Sequence, residues 1–315
     1  MGHTLIHVTK NDGSTEPFQP EKIHKVLFWS VEGLSNVSVS QIETKAQLQL
    51  YPGITTKDIH EILVQAAHEL ISEDTPNYQY VAARLKLFQL RKEVFGGFEP
   101  IRLYDLVKRN IEKGYYTSEF LNWYSEEEFD QMDSLIKHER DYLYAYAGIA
   151  QLSGKYLVQN RVSGEKFETP QIANMLIAAT CFHKYPSFSR MRWIREFYNG
   201  LSTFDFSLPT PIMAGLRTPT KQFSSCVLIE CGDNLNSINR TAEATVNYAS
   251  KKAGIGIHGG HLRALGAEIR KGEAKHTGVS PFYRYFQGAL KSCLDPDTLV
   301  EILIDDSDKG ESEDN

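Results

Sequence analysis

The segment from residue 222 to residue 293 restricts the fold most, because strand-like and helix-like stretches alternate along it. QFSSCVLIECGD (222–233) has the apolar–polar alternation of a half-buried strand. A helix-like stretch follows, with apolar residues at three- and four-residue spacing: Leu235, Ile238, Ala242, Val246 and Ala249. The glycine-rich AGIGIHGGHLRALG, with a short strand, and the helical PFYRYFQGALKSC come next. This order is typical of an α/β fold, and it has only begun when the segment ends.

The sequence GIGIHG (254–259) matches the glycine pattern of a dinucleotide-binding turn. Such a turn requires a strand before its first glycine and a helix after its last. Here a helix-like stretch, NYASKKA, precedes the glycines. We therefore exclude a Rossmann site and interpret these glycines as a tight turn or a close approach of two backbones.

The first 97 residues are organised differently. Two short strands flank Asn11-Asp12-Gly13, which is a strong hairpin signal. Four helix-like stretches follow, beginning near Pro20, Ser40, Thr56 and Asn77, and the last ends at Gly96-Gly97. We predict an α+β domain at 1–97, a mainly helical region at 98–221, the α/β segment at 222–293 and an acidic tail at 294–315.

The net charge of −6 arises in the tail. Residues 294–315 hold nine acidic residues and one lysine, which leaves 33 basic and 31 acidic residues elsewhere. The tail composition is typical of disordered sequence, and a nearly neutral body does not favour nucleic acid as a partner. The longest apolar run, MLIAATCF, is too short for a membrane span. Four dispersed cysteines without a CxxC pair indicate a reducing cytoplasm and no metal site.

Two cysteines in the strand-like segment raise the question of redox chemistry. Their odd separation places Cys226 and Cys231 on opposite faces, roughly 16 Å apart along a strand. A disulfide needs Cα atoms within about 7 Å, so any redox partner of Cys226 lies elsewhere. The alternative is that both residues are small buried apolar side chains.

Basic residues also have two interpretations. The hairpin and the fourth helix bring Lys10, Lys22 and Lys92 into a possible cluster around Thr56, at a helix start, which suits a polyphosphate. Surface lysines are more often simply solvated. Arg263 and Arg270 follow the glycine-rich turn and suit phosphate, but arginines are also common salt-bridge partners.

Seven segments, covering roughly residues 1–293, together resemble the large subunit of class I ribonucleoside-diphosphate reductase. They are VTKNDGSTE, EKIHKVL, PNYQYVAARL, SLPTPIMAGLRTPT, QFSSCVLIECGD, KKAGIGI and GEAKHTGVSPFY. The resemblance implies an N-terminal ATP cone, made of a β-hairpin and a four-helix bundle, and then a helical region. After these it implies the first part of a ten-stranded α/β barrel, left incomplete.

The resemblance also implies roles for individual residues. The cone would bind ATP or dATP at an activity site of Lys10, Glu16, Lys22, Thr56 and Lys92. Thr210 and Ser225 would bind the substrate diphosphate, and Cys226 would be the first of two cysteines that reduce the ribose 2′ position and form a disulfide. A specificity site for deoxynucleoside triphosphate effectors, at a dimer interface, would comprise Asp233, Asn234, Leu235, Arg263 and Arg270.

The family's chain runs on after KSC, whereas the acidic tail follows here. The remaining part would carry the radical-forming cysteine, the partner of Cys226 and the C-terminal reducing cysteines, so we expect this chain to be inactive alone. The resemblance implies a complementary C-terminal fragment and a metal-containing small subunit that supplies the radical. It also implies a thioredoxin- or glutaredoxin-type reductant, ribonucleoside diphosphate substrates and self-association through the specificity-site helices.

The tail has three interpretations. We favour noncovalent assembly with a complementary fragment, because the unpaired strand edges of a half-barrel demand one. Alternatively, CLDPDTLVEI resembles the opening of an intein, and Cys293 would then be the nucleophile of splicing with a split partner. The tail could also be a remnant without chemistry. A further alternative for the whole chain is a non-catalytic module that senses ATP and dATP.

Overall fold

The computed structural model describes residues 7–10, 13–47, 51, 53–251 and 253–292. The predicted turn residues Asn11 and Asp12, the proposed splicing nucleophile Cys293 and the tail 294–315 lie outside these ranges. The helices are α1 (Pro20–Val31), α2 (Val39–Gln47), α3 (Thr56–His68), α4 (Tyr78–Phe95), α5 (Leu103–Glu112), α6 (Phe120–Trp123), α7 (Glu126–Leu135), α8 (Tyr146–Gln151), α9 (Pro170–Phe182), α10 (Ser187–Ser202), α11 (Thr210–Gly215), α12 (Leu235–Ala249) and α13 (Ser280–Lys291). The strands are β1 (His7–Thr9), β2 (Thr15–Pro17), β3 (Cys226–Glu230), β4 (Gly254–His258), β5 (Glu268–Ile269) and β6 (Ala274–Lys275). A 3-10 helix spans His138–Leu143, and a π-helical turn spans Leu152–Tyr156.

The chain divides into two compact units. The first comprises Met1–Leu208 and Ile212–Thr220, and the second comprises Pro209–Pro211 and Lys221–Asn315. Within the described ranges, no helix combines the length and the apolar character that a membrane crossing needs.

The first unit opens with the predicted hairpin and four helices. Strands β1 and β2 pair antiparallel, with Val8 opposite Glu16. Gly13 has a φ of +81° in the turn, a conformation that glycine adopts without strain. A parallel bridge between Thr9 and Thr55 sets the hairpin beside the start of α3.

Helix α4 contributes to two hydrophobic cores. Tyr78, Val81 and Leu85 pack in the core formed with the hairpin and helices α1–α3. Leu90 and Val94 pack in the core formed by the helices after residue 100. The fourth helix is therefore shared by the hairpin domain and the helical region.

A buried ion pair joins distant parts of the helical region. The side chains of Glu168 and Arg217 are fully buried, and both Nε and Nη2 of Arg217 donate to the Glu168 carboxylate. The Tyr116 hydroxyl donates to Glu168 Oε2 at 2.6 Å, and the Val158 amide donates to Oε1 at 2.7 Å. Burial, with the Glu168 carboxylate second, raises the pKa of Tyr116 well above its ordinary value. The hydroxyl therefore remains a donor.

Asp141 in the 3-10 helix should make stability fall as pH rises. Its carboxylate is buried, and burial raises its pKa to about 7 against the smaller opposing effects of nearby Gln171 and Arg91. In the unfolded chain this group titrates near 4, so the folded state binds more protons between pH 4 and pH 7. The stabilisation from protonated Asp141 is fully present below pH 4 and is lost as pH rises through 7. The free energy of unfolding falls by about 4 kcal/mol over this range.

The Asp141→Asn variant should remove this loss, which thermal unfolding from pH 4 to pH 8 would measure. The matched control is Glu139→Gln, which changes an exposed carboxylate in the same 3-10 helix. Parallel pH profiles for wild type and Asp141→Asn would contradict the assignment.

The second unit contains the predicted strand–helix–strand–helix order. Strands β3 and β4 pair in parallel, and the register places Cys226 opposite Gly254 and Glu230 opposite His258. One face of this pair is covered by α12 and α13, in a core that includes Ile238, Ile255, Ile257, Phe286 and Leu290. The other face carries Cys226, Leu228 and Glu230, and Leu228 is 86% exposed. We call this second surface the open face.

One local prediction needs correction. The glycines of GIGIH form strand β4, so the interpretation as a tight turn is wrong. The close backbone approach is confirmed, because the Gly254 amide donates to the Ser225 carbonyl at 2.8 Å. A Cβ atom added to Gly256 would lie 2.8 Å from Leu228 Cδ2, so a larger residue there would require that exposed side chain to move. Helix α11 lies within the proline-containing segment 207–222. Pro211 is in the first turn of α11, where the missing N–H costs no helical hydrogen bond.

Candidate functional site

A cavity of about 780 Å³ opens between the hairpin and helices α1, α3 and α4. This volume falls within the usual range for small-molecule sites. All five residues predicted for the activity site line it: Lys10, Glu16, Lys22, Thr56 and Lys92. The structure therefore brings together residues that lie more than 80 positions apart in the sequence. We call this space the cone cavity.

The start of helix α3 contributes to the lining of the cone cavity. Thr55 is the N-cap, and its side chain accepts a hydrogen bond from the Asp58 amide at 3.0 Å. Thr56 is the first residue of the helix and lines the cavity. The free N–H groups and the dipole at a helix start favour an anion.

Charges in the cone cavity are mainly positive. Four lysines, Lys10, Lys22, Lys25 and Lys92, line it, with Glu16 as the one acidic residue among the described lining residues. Both carboxylate oxygens of Glu16 are paired, one with Lys10 at 2.8 Å and the other with Lys22 at 2.8 Å. These two hydrogen bonds lower the pKa of Glu16. The cavity therefore suits a polyanion.

His60 is a cavity residue that sequence reasoning missed. Burial, reinforced by the charge of Lys92, lowers the pKa of His60 to about 4, so its imidazole is neutral at pH 7. No described residue hydrogen-bonds to its buried Nδ1 atom. The ring stacks on Phe88 with centroids 5.2 Å apart. Its position four residues after Thr56, on the same face of α3, was the signal that could have indicated it.

Aromatic side chains form the apolar part of the same cavity. Trp29, Phe88 and Phe98 line it, and the Trp29 ring meets the Phe98 ring edge-on at 5.3 Å. The Lys92 ammonium lies 5.5 Å from the centre of the Phe88 ring. A flat aromatic ligand with a charged tail fits a cavity that combines ring faces with lysines.

Cys226 is the first residue of β3 and is exposed on the open face. Its Sγ lies 3.7 Å from the position that a Cβ on Gly254 would occupy, so the glycine opposite leaves the thiol uncrowded. Cys231 is fully buried, and burial raises the pKa of its thiol. The prediction that the two cysteines face opposite sides is confirmed, and the interpretation of Cys226 as a buried apolar residue is wrong.

The two residues predicted to bind the substrate diphosphate are half-buried members of the same unit as Cys226. Thr210 begins α11, and Ser225 directly precedes β3. The Ser225 carbonyl accepts a hydrogen bond from the Gly254 amide at 2.8 Å, which extends the parallel ladder by one residue. This bond fixes the backbone on which the Ser225 hydroxyl is carried.

The structure brings together part of the predicted specificity site. Arg263 Nε donates to Asp233 Oδ2 at 2.6 Å. Asn234 is the N-cap of α12 and accepts from the Ser237 amide at 2.9 Å. Leu235 is 68% exposed beside them. Arg270 pairs with Glu273 at 3.5 Å, so the salt-bridge alternative describes both arginines in this structure.

The apolar stripe of α12 is used within its own unit. Ile238, Ala242 and Ala249 are buried in the core that covers β3 and β4. Leu235 on α12 and Tyr285 on α13 are exposed. The self-association that the resemblance implies would therefore have to use the outer surfaces of these helices, because the apolar stripe of α12 is already packed.

Three family models match the chain in consecutive order. The ATP cone domain model matches residues 6–93, the model for the ribonucleotide reductase all-alpha domain matches residues 142–221, and the model for the ribonucleotide reductase barrel domain matches residues 224–295. The chain therefore contains an ATP cone followed by segments that match two ribonucleotide reductase domain models.

Curated relatives indicate the subunit. Ribonucleoside-diphosphate reductase 1 subunit alpha of Escherichia coli (strain K12) is 57% identical over 293 residues, which are 93% of this chain and 38% of the relative. The alpha subunit of Enterobacteria phage T4 is 47% identical over 92% of this chain and 38% of its own length. The alpha subunit of Synechocystis is 31% identical over 90% of this chain and 36% of its own length. The chain belongs to the ribonucleotide reductase alpha-subunit family and spans about 38% of the length of such relatives.

Proposed function

We propose that this chain supplies the effector-binding cone and the first barrel strands of a ribonucleoside-diphosphate reductase. A complementary polypeptide supplies the rest of the barrel, and the chain is inactive without it. Thr210 and Ser225 hold the substrate diphosphate, and Asp233, Asn234, Leu235, Arg263 and Arg270 bind the specificity effector. The radical comes from a metal-containing small subunit, and a dithiol protein of the thioredoxin or glutaredoxin type restores the thiols.

The observation that carries this proposal is the exposed thiol of Cys226 on the open face. Replacing the ribose 2′ hydroxyl by hydrogen requires two electrons and two protons. Two thiols supply both when they form a disulfide, and the hydroxyl leaves as water. The described cysteines are all free. We assign the second thiol to a barrel strand of the complementary polypeptide.

A second candidate function is a module that senses ATP and dATP without catalysis. It is favoured by the cone cavity, whose five predicted ligand-binding residues all belong to this chain. In contrast, the proposed reduction needs a second thiol.

Affinity purification of the tagged chain from its host distinguishes the candidates. Recovery of a second reductase polypeptide, together with reduction of CDP, supports assembly. A ligated product that lacks residues 294–315 supports splicing at Cys293 instead. Binding of dATP by a chain recovered alone supports the sensor and contradicts the proposal. Intact-mass measurement of the recovered assembly identifies which of these species is present.

Replacing Lys92 by alanine should weaken ATP and dATP binding by about tenfold, which is the expected cost of one charge-assisted hydrogen bond. No described carboxylate pairs with Lys92, so the substitution leaves no buried acid behind. Isothermal titration of the full chain with dATP measures the change. Lys45→Ala is the matched control, because it removes a lysine that pairs with Glu69 and does not line the cavity. Equal dATP affinities for the two variants would place the nucleotide elsewhere.

A further inference from the structure

Three side chains with metal-binding groups meet at one end of the β3–β4 pair. Glu230 is the last residue of β3, His258 is the last residue of β4, and the parallel register places them opposite each other. His261 follows three residues later. One ligand atom from each residue lies within 4.8 Å of the others.

The backbone holds these three residues in place. The Cys231 amide donates to the His258 carbonyl at 3.0 Å and so continues the ladder past the strand ends. The Leu262 amide donates to the Gly259 carbonyl at 3.0 Å, and this turn brings His261 back towards Glu230. A Cβ on Gly260 would lie 2.8 Å from His258 Nε2, so glycine at this position leaves space for the imidazole.

The three side chains combine one acidic group with two imidazoles. Among the described residues, the ion-pair partner of Glu230 is His261, whose Nε2 lies 2.6 Å from Glu230 Oε1. The rings of His258 and His261 meet edge-on with centroids 5.2 Å apart. A single carboxylate therefore faces two imidazoles.

We propose that Glu230, His258 and His261 bind one divalent transition-metal ion, with Zn²⁺ as the preferred ion. Two imidazoles and one carboxylate are a common ligand set for Zn²⁺, whereas Mg²⁺ and Ca²⁺ favour oxygen ligands. Bonds of about 2.1 Å require the ligand atoms to draw closer than they lie here. The exposed side chains have that freedom, since Glu230 and His261 are 69% and 55% exposed. Three protein ligands leave a fourth position for water or an anionic ligand.

This site is independent of the proposed reductase function. The sequence predicted no metal site because it has no closely spaced cysteine pair. The proposed ligands instead come from the ends of two strands and the turn that follows. When occupied, it would tie the ends of β3 and β4 to the turn that follows β4.

The test is titration of the full chain with Zn²⁺ by calorimetry, followed by Co²⁺ substitution and visible spectroscopy. The wild type should bind one Zn²⁺ ion per chain. His258→Asn and His261→Asn should each weaken binding by at least about tenfold, because losing even an outer-shell partner costs 10- to 100-fold. His24→Asn is the matched control, since His24 pairs with Glu43 at 2.8 Å but no third ligand lies near them among the described residues.

Two outcomes would overturn the proposal. One is the same Zn²⁺ affinity for the wild type and both histidine variants. The other is binding that Cys226→Ser abolishes and that gives a thiolate-type Co²⁺ spectrum, which would identify a thiol site instead. The substituted side chains are exposed, and circular dichroism of each variant confirms that it is folded.

Discussion

Replacing Cys226 by serine is expected to abolish repeated reduction of ribonucleoside diphosphates by the proposed assembly of this chain with a complementary polypeptide. A serine hydroxyl cannot form the disulfide that provides the two electrons. The side chain is exposed, so the change should leave the fold and the dATP affinity of the cone cavity unaltered. Steady-state formation of dCDP from CDP, with a dithiol as reductant, measures the effect, and dATP titration of the same sample measures cone binding.

The buried Cys231 provides the comparison for this variant. Cys231→Ala removes a thiol from the covered side of the same sheet and should leave turnover largely intact. Undiminished turnover by Cys226→Ser would refute the role assigned to Cys226. Lost dATP binding in that variant would instead indicate that the substitution damages the fold.

Replacing Arg217 by methionine should destabilise the first unit by about 3–5 kcal/mol. The Glu168 carboxylate would remain fully buried without its cation, and removing one partner of a buried pair costs far more than the pair contributes. The Arg217 Nη2 hydrogen bond to the Tyr156 carbonyl, 2.9 Å long, would also be lost. Denaturant unfolding followed by circular dichroism measures the change.

Arg102→Met is the control for this substitution, because Arg102 pairs with Glu126 and Asp130 on the surface. Exposed pairs contribute little to stability, so this variant should unfold close to the wild type. Arg217→Lys keeps the charge but loses the bidentate hydrogen bonding to Glu168. Its stability should lie between those of Arg217→Met and Arg102→Met. If Arg217→Met lost no more stability than Arg102→Met, the charge of Glu168 would have to be neutralised in another way.

Local signals in the sequence are sufficient to predict where helices begin and end and which face of a strand a side chain occupies. Thr55 and Asp58 predict the start of α3, Gly96 predicts the end of α4, and the odd spacing of Cys226 and Cys231 predicts opposite faces. These features depend on backbone geometry within a few residues. The cone-cavity lysines were grouped by the same reasoning, extended across the hairpin and two helices.

Features that depend on contacts between distant residues were not predicted. Glu168 and Arg217 lie 49 residues apart, and nothing in their local sequences shows that both are buried. His60 required knowledge of which face of α3 meets the cavity. A short strand was predicted within AGIGIHGGHLRALG, but glycines lower strand propensity, so its bounds became evident only from its pairing with β3. That same pairing unites Glu230 and His258.

Helix α4 makes the cone a poor candidate for a freely swinging domain. Lys92 lines the cone cavity from the same helix whose Leu90 and Val94 are buried in the neighbouring helical core. A ligand that displaces the α4 backbone at Lys92 would therefore also displace those buried side chains, and dense packing resists such displacement. A shift of α4 caused by occupancy of the cavity would thus reach the helical core along one continuous helix.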